Sequence, residues 1–242
     1  MNADWIVPDW PAPPRVRSLI TTRNGGVSRG PFASFNLGTR SGDDISTVAA
    51  NREQLRRALP QEPKWLRQVH GTTVVLADGL VESPDADGSF ARQPGTVCAV
   101  LVADCLPVLL CDSGEAGVGI AHAGWRGLSG GVIENTVKAM GVAPARLLAY
   151  LGPAIGATAY EVGTDVRGAF VSHDAAAASA FAPRGDAKWK ADLFTLARQR
   201  LASLGVTRIY GGYWCTASNP DRFFSYRRDG MTGRMAALIW LE

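Results

Sequence analysis

Histidine is scarce in this chain: there are three in 242 residues, beside four cysteines. Three imidazoles exclude any active site built on a large cluster of histidines. Four cysteines are too few for a disulfide-stapled secreted scaffold. Three of them (Cys98, Cys105 and Cys111) crowd into one segment without forming a CxxC pair. Reduced thiols are therefore expected. Long apolar runs are missing too. The longest, residues 97–111, is broken by Asp104 and Pro107 and falls short of the ~20 residues that span a bilayer. The opening stretch MNADWIVPDWPAPPRVR has neither a cationic start nor an apolar core, so no signal peptide and a cytoplasmic location are expected. Charge of one sign is absent as well. The 25 basic and 22 acidic residues leave +3, with no dense basic block, which argues against a nucleic-acid partner.

What remains is an ordinary globular composition, 46% hydrophobic and 19% charged. A chain of this length buries about 70–75% of its unfolded surface, so it needs neither metal nor disulfide to fold. No repeat and no linker stand out, which predicts one mixed α/β domain over residues 1–242. Residues 15–22 read as a strand. Residues 21–38, rich in Gly, Ser, Asn and Pro, read as a long loop. Residues 44–59 read as a helix with Val48, Leu55, Ala58 and Leu59 inward and Arg52, Glu53, Arg56 and Arg57 in water. Strands are expected at 64–69, 73–76, 97–102, 107–110, 117–121, 146–151, 206–210 and 235–240, with a polar loop at 81–95. Helices are expected at 132–140, stopped by Gly141, at 164–171, and at 192–204 with Asp192 as cap. The state of the alanine run 175–180 is left open.

Three segments place metal-binding side chains where a predicted strand yields to a turn: Gln68-Val69-His70-Gly71, Ala103-Asp104-Cys105-Leu106-Pro107 and Ala121-His122-Ala123-Gly124-Trp125-Arg126-Gly127. Two imidazoles and a thiolate suit zinc, and three protein ligands leave a position open for water or substrate. The same residues also fit a cysteine nucleophile, with His122 as base and His70 or Asp104 orienting it. Spacing alone does not separate the two. Asp104 suits either a turn cap or a contact to substrate. Arg126, near an expected helix start, makes a candidate phosphate contact. Arg23, Arg227 and Arg228 are further anion candidates, and Trp125 and Phe35 are candidate stacking rings. Other signals fail. Asp85-Ala86-Asp87-Gly88 lacks the rest of a calcium loop, no deaminase zinc signature is present, and His173 in Ser172-His173-Asp174 reads as an exposed residue.

Taken together, TTRNGGVSRGPFASFNLG (21–38), RQVHG (67–71), ADCLPVLL (103–110), GIAHAGWRG (119–127), LGPAIGATAYEVG (151–163) and FFSYRRDGMTGR (223–234) resemble the bacterial laccase-domain family. Its members were once called multicopper polyphenol oxidases and are now described as purine nucleoside phosphorylases. The resemblance implies mixed sheets sandwiched and flanked by helices, similar to the catalytic domain of cytotoxic necrotizing factors. It implies His70, Cys105 and His122 as zinc site and catalytic centre, with Arg23, Gln68 and Arg126 around the pocket; Asp104 joins these as a substrate-contact candidate from its own turn position. It further implies phosphorolysis of adenosine, inosine, guanosine and methylthioadenosine, and deamination of adenosine. Deamination needs a proton shuttle, for which Asp104 and Glu161 are our own candidates. Copper is a possible occupant of the same site, but three histidines cannot furnish a laccase, which needs a blue-copper centre and a three-copper cluster. Two other functions fit the sequence: a cysteine- or zinc-dependent amide hydrolase acting on cytoplasmic peptidoglycan precursors, and a non-catalytic nucleotide-binding module. The expected partners are purine nucleosides and phosphate, with no nucleic acid and no membrane. The oligomeric state is not legible.

Overall fold

The computed structural model describes residues 4–242. In chain order the elements begin with β1 (Val16–Ile20), α1 (Ile45–Arg56), β2 (Val74–Leu76), β3 (Gly88–Ala91), β4 (Cys98–Val102) and β5 (Leu106–Asp112). Next come β6 (Val118–Ala123), α2 (Trp125–Gly130), α3 (Val132–Met140), β7 (Leu147–Leu151), β8 (Glu161–Val162) and α4 (Thr164–Val171). The chain ends with β9 (Phe181–Gly185), β10 (Lys188–Ala191), α5 (Leu193–Ser203), β11 (Arg208–Gly211), α6 (Tyr226–Asp229) and β12 (Met235–Leu241).

Strand patterning explains the layers. Residues of β12 alternate between two cores: Met235, Ala237, Ile239 and Leu241 pack on one side, and Ala236, Leu238 and Trp240 on the other. In β5, Leu106, Val108 and Leu110 face one core while Leu109 and Cys111 face another. Strands buried on both faces read as continuous apolar runs rather than alternating ones, as these do. A three-stranded sheet, ordered β1-β12-β4, is antiparallel. It stacks on a six-stranded mixed sheet, β11-β7-β5-β6-β3-β2, parallel at its two outer pairs and antiparallel between. Leu55 of α1 packs with Phe35 and Leu37 on the outer face of the small sheet, and α3, α4 and α5 cover the outer face of the large one. The result is mixed sheets sandwiched between helices. A third sheet, β8-β10-β9, is antiparallel. Among the described residues no helix is long and apolar enough to cross a membrane.

Several expectations need correction. Residues 64–69 form only isolated bridges, Lys64 to Cys98 and Arg67 to Asp85. The polar stretch 81–95 contains β3, whose Gly88, Ser89 and Ala91 are buried. The glycine-rich stretch after His122 is helical as α2, and position 127 is glycine because a side chain there would strike the Gly71 carbonyl oxygen at 2.9 Å. Arg52 is not in water: it donates to the Leu37 carbonyl at 2.9 Å and lies over the Trp65 ring. The alanine run is a 3-10 helix. Asp192 caps α5 as expected, accepting from the Phe194 and Thr195 backbone N–H groups. Gly141 ends α3 with φ 65°.

Candidate active site

The 17-residue gap between Cys105 and His122 is a hairpin. β5 and β6 pair antiparallel with Pro107 opposite His122 and Leu106 opposite Ala123, so the residue just before β5 lies beside the end of β6. β3 pairs with the other edge of β6, Gly88 opposite Ala121, which brings Asp87 to His122. The backbone N–H of His122 donates to the Asp87 carbonyl at 2.7 Å, and His122 Nδ1 lies 2.8 Å from Asp87 Oδ1. The Asp87 carboxylate also accepts the N–H groups of Val69 at 3.1 Å, His70 at 3.0 Å and Gly71 at 2.7 Å. One buried carboxylate therefore orients the second imidazole and anchors the loop that carries the first. Gln68 ties that loop to β4, its amide bonding both the N–H and the carbonyl of Leu101 at 2.7 and 2.9 Å.

The ligating atoms of His70, Cys105 and His122 all lie within 4.8 Å of one another. Cys105 Sγ is 3.9 Å from His70 Nε2, and the two imidazole rings are 5.0 Å apart. His70 (φ 59°) and Asp104 (φ 92°) both adopt the left-handed region, which costs a non-glycine residue of order 1–3 kcal/mol and concentrates at working sites. Gly124 is required by crowding: a Cβ there would meet Cys105 Sγ at 2.8 Å and His70 Cδ2 at 3.3 Å.

Burial raises the Cys105 thiol, but the His122 and His70 rings outweigh it and bring it down to about 6. Burial lowers the His122 imidazolium, but the Cys105 thiolate and Asp87 outweigh that and bring it up to about 9. With no metal bound, the two shifts favour a thiolate beside an imidazolium. The fully buried thiols are the reverse, with burial pushing Cys98 and Cys111 up to about 12.

A pocket of about 230 Å³ opens over this cluster, and His70, Cys105, Trp125, Arg126, Tyr160 and Arg227 are among the residues that line it. A wider open groove at Thr72, Thr73 and α3 carries none of the candidate residues. Arg126 is exposed at the pocket, its guanidinium 4.4 Å from the Trp125 ring. Asp104 also lines it, but its carboxylate is engaged: Oδ1 accepts from Thr216 Oγ1 at 2.5 Å and Oδ2 from the Arg227 N–H at 2.6 Å. The structure makes Asp104 a turn anchor, each of its carboxylate oxygens accepting one hydrogen bond.

Other candidates lie elsewhere. Arg23 is not among the lining residues; it donates to the Ala33 and Pro220 carbonyls, each at 2.9 Å. Gln68 is likewise outside the lining and acts on the loop. Glu161 faces Arg184 and Lys190. Phe35 is core, packed on Trp5. Arg228 holds the carbonyls of Thr216, Ala217 and Phe223. His173 is exposed. Sequence reading missed Asp87, set aside with a failed calcium loop, and Tyr160, whose phenol shares the pocket.

The donor set fits a thiophilic or borderline cation. Two imidazoles and a thiolate converge with a pocket in front, and a carboxylate on the remote nitrogen of one imidazole is the support that metal-binding histidines usually have.

The chain resembles known proteins along its whole length. A model described as multi-copper polyphenol oxidoreductase laccase matches residues 17–242. A Pseudomonas aeruginosa protein named purine nucleoside phosphorylase is 52% identical over 243 residues, covering 100% of both chains. Purine nucleoside phosphorylase YfiH of Escherichia coli is 52% identical over 239 residues, covering 98% of each. Among solved structures, a Neisseria meningitidis protein superposes with a TM-score of 0.96 at 52% identity, covering 99% of both chains. YlmD of Geobacillus stearothermophilus superposes with a TM-score of 0.90 at 30% identity, over 100% of this chain and 97% of that one. With the site and the full-length matches in agreement, the chain belongs to the laccase-domain family that contains the YfiH purine nucleoside phosphorylases.

Proposed function

We propose that this protein is a cytoplasmic, zinc-dependent purine nucleoside phosphorylase, acting as one unit over residues 1–242. Adenosine, inosine, guanosine and methylthioadenosine are its substrates, and it also deaminates adenosine. The observation that carries the reading is the meeting of His70, Cys105 and His122 under a pocket that also holds Arg126. The relatives named above support the reaction class.

His70, Cys105 and His122 would hold zinc, which supplies a Lewis acid at the pocket floor when bound. Copper competes for the same three donors. Asp87 fixes the His122 ring so that its remaining nitrogen faces Cys105. Arg126 offers its guanidinium to phosphate, against the positive charge that develops on the ribose. α2 is too short for its dipole to bind phosphate alone, so the side chain carries this role. The pocket, at about 230 Å³, is below the roughly 300–1,000 Å³ usual for ligand sites. A nucleoside then leaves one end outside, which accounts for tolerance of different bases and of a 5′-methylthio group.

The test is product analysis with and without phosphate. Ribose 1-phosphate and free purine should form only with phosphate, and formation should fall with His70→Ala. Purine release that ignores phosphate counts against the reading.

The thiolate–imidazolium pair favours a second reading, a cysteine hydrolase of amide bonds. A trapped acyl-thioester on Cys105, with turnover surviving chelation, would support it.

A further inference from the structure

Tyr160 is 7% exposed, and its hydroxyl, which is open to the solvent of the pocket, bonds to no other described residue. The phenol lines the pocket over the His–Cys–His cluster and feels the charges of Cys105, Arg227 and Arg126. Arg227 lies 5.0 Å from the Tyr160 ring and is fixed twice: its N–H donates to Asp104 and its Nη1 to the Glu161 carbonyl at 2.6 Å. No bond from a described residue occupies its other guanidinium nitrogens. On the same pocket, Arg126 is stacked on Trp125, with no ion-pair partner among the described residues. The pocket thus presents two cations and one hydroxyl that no described residue engages. The carboxylate that lines it is already engaged by Thr216 and by the Arg227 backbone.

Resting on the phosphorylase reading above, we propose that Tyr160, Arg126 and Arg227 form the phosphate subsite, with the Tyr160 hydroxyl donating to a phosphate oxygen. A planar guanidinium and a neutral hydroxyl together match the donors an oxyanion requires. Burial, with the Cys105 charge adding to it, pushes the phenol up to about 12, so it is a donor rather than a competing anion. Hydrogen phosphate held there attacks C1′ of the ribose. A C1′–O bond forms, the C1′–N bond breaks, and its electron pair leaves with the purine, which takes up a proton. Ribose 1-phosphate and free base are the products.

The experiment measures inorganic phosphate binding by calorimetry and steady-state phosphorolysis in wild type, Tyr160→Phe and Arg227→Gln. Loss of a hydrogen bond to a charged group predicts a rise in phosphate Kd and KM of about tenfold or more for Tyr160→Phe. Nucleoside KM and thermal midpoint should stay near wild type. A larger nucleoside KM with unchanged phosphate KM would overturn the subsite, as would equal phosphate binding in all three proteins or none in wild type. If Tyr160→Phe does not fold, Arg227→Gln decides by the same criteria. Phosphate binding that weakens in the variants, without ribose 1-phosphate from wild type, would retain the anion subsite and reject the phosphorylase reading.

Discussion

Asp87 Oδ1 accepts both the Nδ1 of His122 at 2.8 Å and the backbone N–H of His70 at 3.0 Å. A single buried oxygen thus sets the orientation of one imidazole and the position of the other. Asp87 lies outside the set of three metal-binding donors, yet two of the three depend on it. Burial raises its carboxyl, but the His122 ring and the backbone donors outweigh that and hold it below the ordinary carboxylate range.

Asp87→Asn keeps the size of the side chain and removes its charge. Outer partners of metal-binding histidines are worth about 10–100-fold in metal affinity or activity. A loss of that size is expected when zinc affinity is measured by competition with a chromogenic chelator. Unchanged affinity would show that the His122 ring needs no such support.

Cys105 should be the reactive thiol. It is partly exposed and lowered by its two histidines, whereas Cys98 and Cys111 are buried and raised to about 12. Limiting iodoacetamide at neutral pH, followed by peptide mass mapping, should label Cys105 well before Cys98 or Cys111. Added zinc should protect it. Labelling of Cys105 at the same rate with and without zinc would remove the thiolate from the proposed ligand set.

Gly124→Ala tests the packing of the site. The added Cβ would sit 2.8 Å from Cys105 Sγ, and the neighbours that must yield are the thiol and His70. Metal affinity should fall by tenfold or more (on the order of the outer-support losses above). The thermal midpoint should move far less than for a comparable insertion into a sheet core. An alanine variant that binds zinc as wild type does would show that the donors have room to shift.

Asp112 gives a stability prediction away from the site. Its side chain is buried, and Arg146 donates to both carboxylate oxygens at 2.9 and 2.6 Å. Burial raises this carboxyl, but the Ala116 and Gly114 N–H groups and Arg146 outweigh it, so it lies below the ordinary value of 3.8. A carboxyl depressed in the folded state contributes stability that is fully present above the unfolded pKa. That contribution is lost as pH falls through the folded one. Asp112→Asn should therefore cost about 1–3 kcal/mol at neutral pH. The gap between variant and wild type should close below about pH 4. Chemical denaturation across that range measures it, and a constant gap would contradict the assignment.

The apolar layers were legible because β4, β5, β6 and β12 are buried almost throughout and are dominated by Val, Leu, Ile and Ala. The three metal-binding side chains were legible from their turn positions and from the family motifs around them. Asp87 was not, because its neighbours are small and polar and its partner lies 35 residues away across a strand pairing. α2 was hidden by its glycines. They are present because Gly127 packs against the Gly71 loop, a close approach that composition does not reveal. Arg23 and Gln68 fall within conspicuous motifs, yet both spend their polar atoms on backbone carbonyls and amides. Motif membership marked them without distinguishing a support from a substrate contact.

The central claim is that phosphorolysis depends on a metal held by His70, Cys105 and His122. Its most direct test is metal content and phosphate-dependent adenine release measured on the same preparations of wild type and Cys105→Ala. One zinc per wild-type chain, with both metal and adenine release lost in the variant, is the predicted result. Normal phosphorolysis by Cys105→Ala protein verified to be free of metal would contradict it.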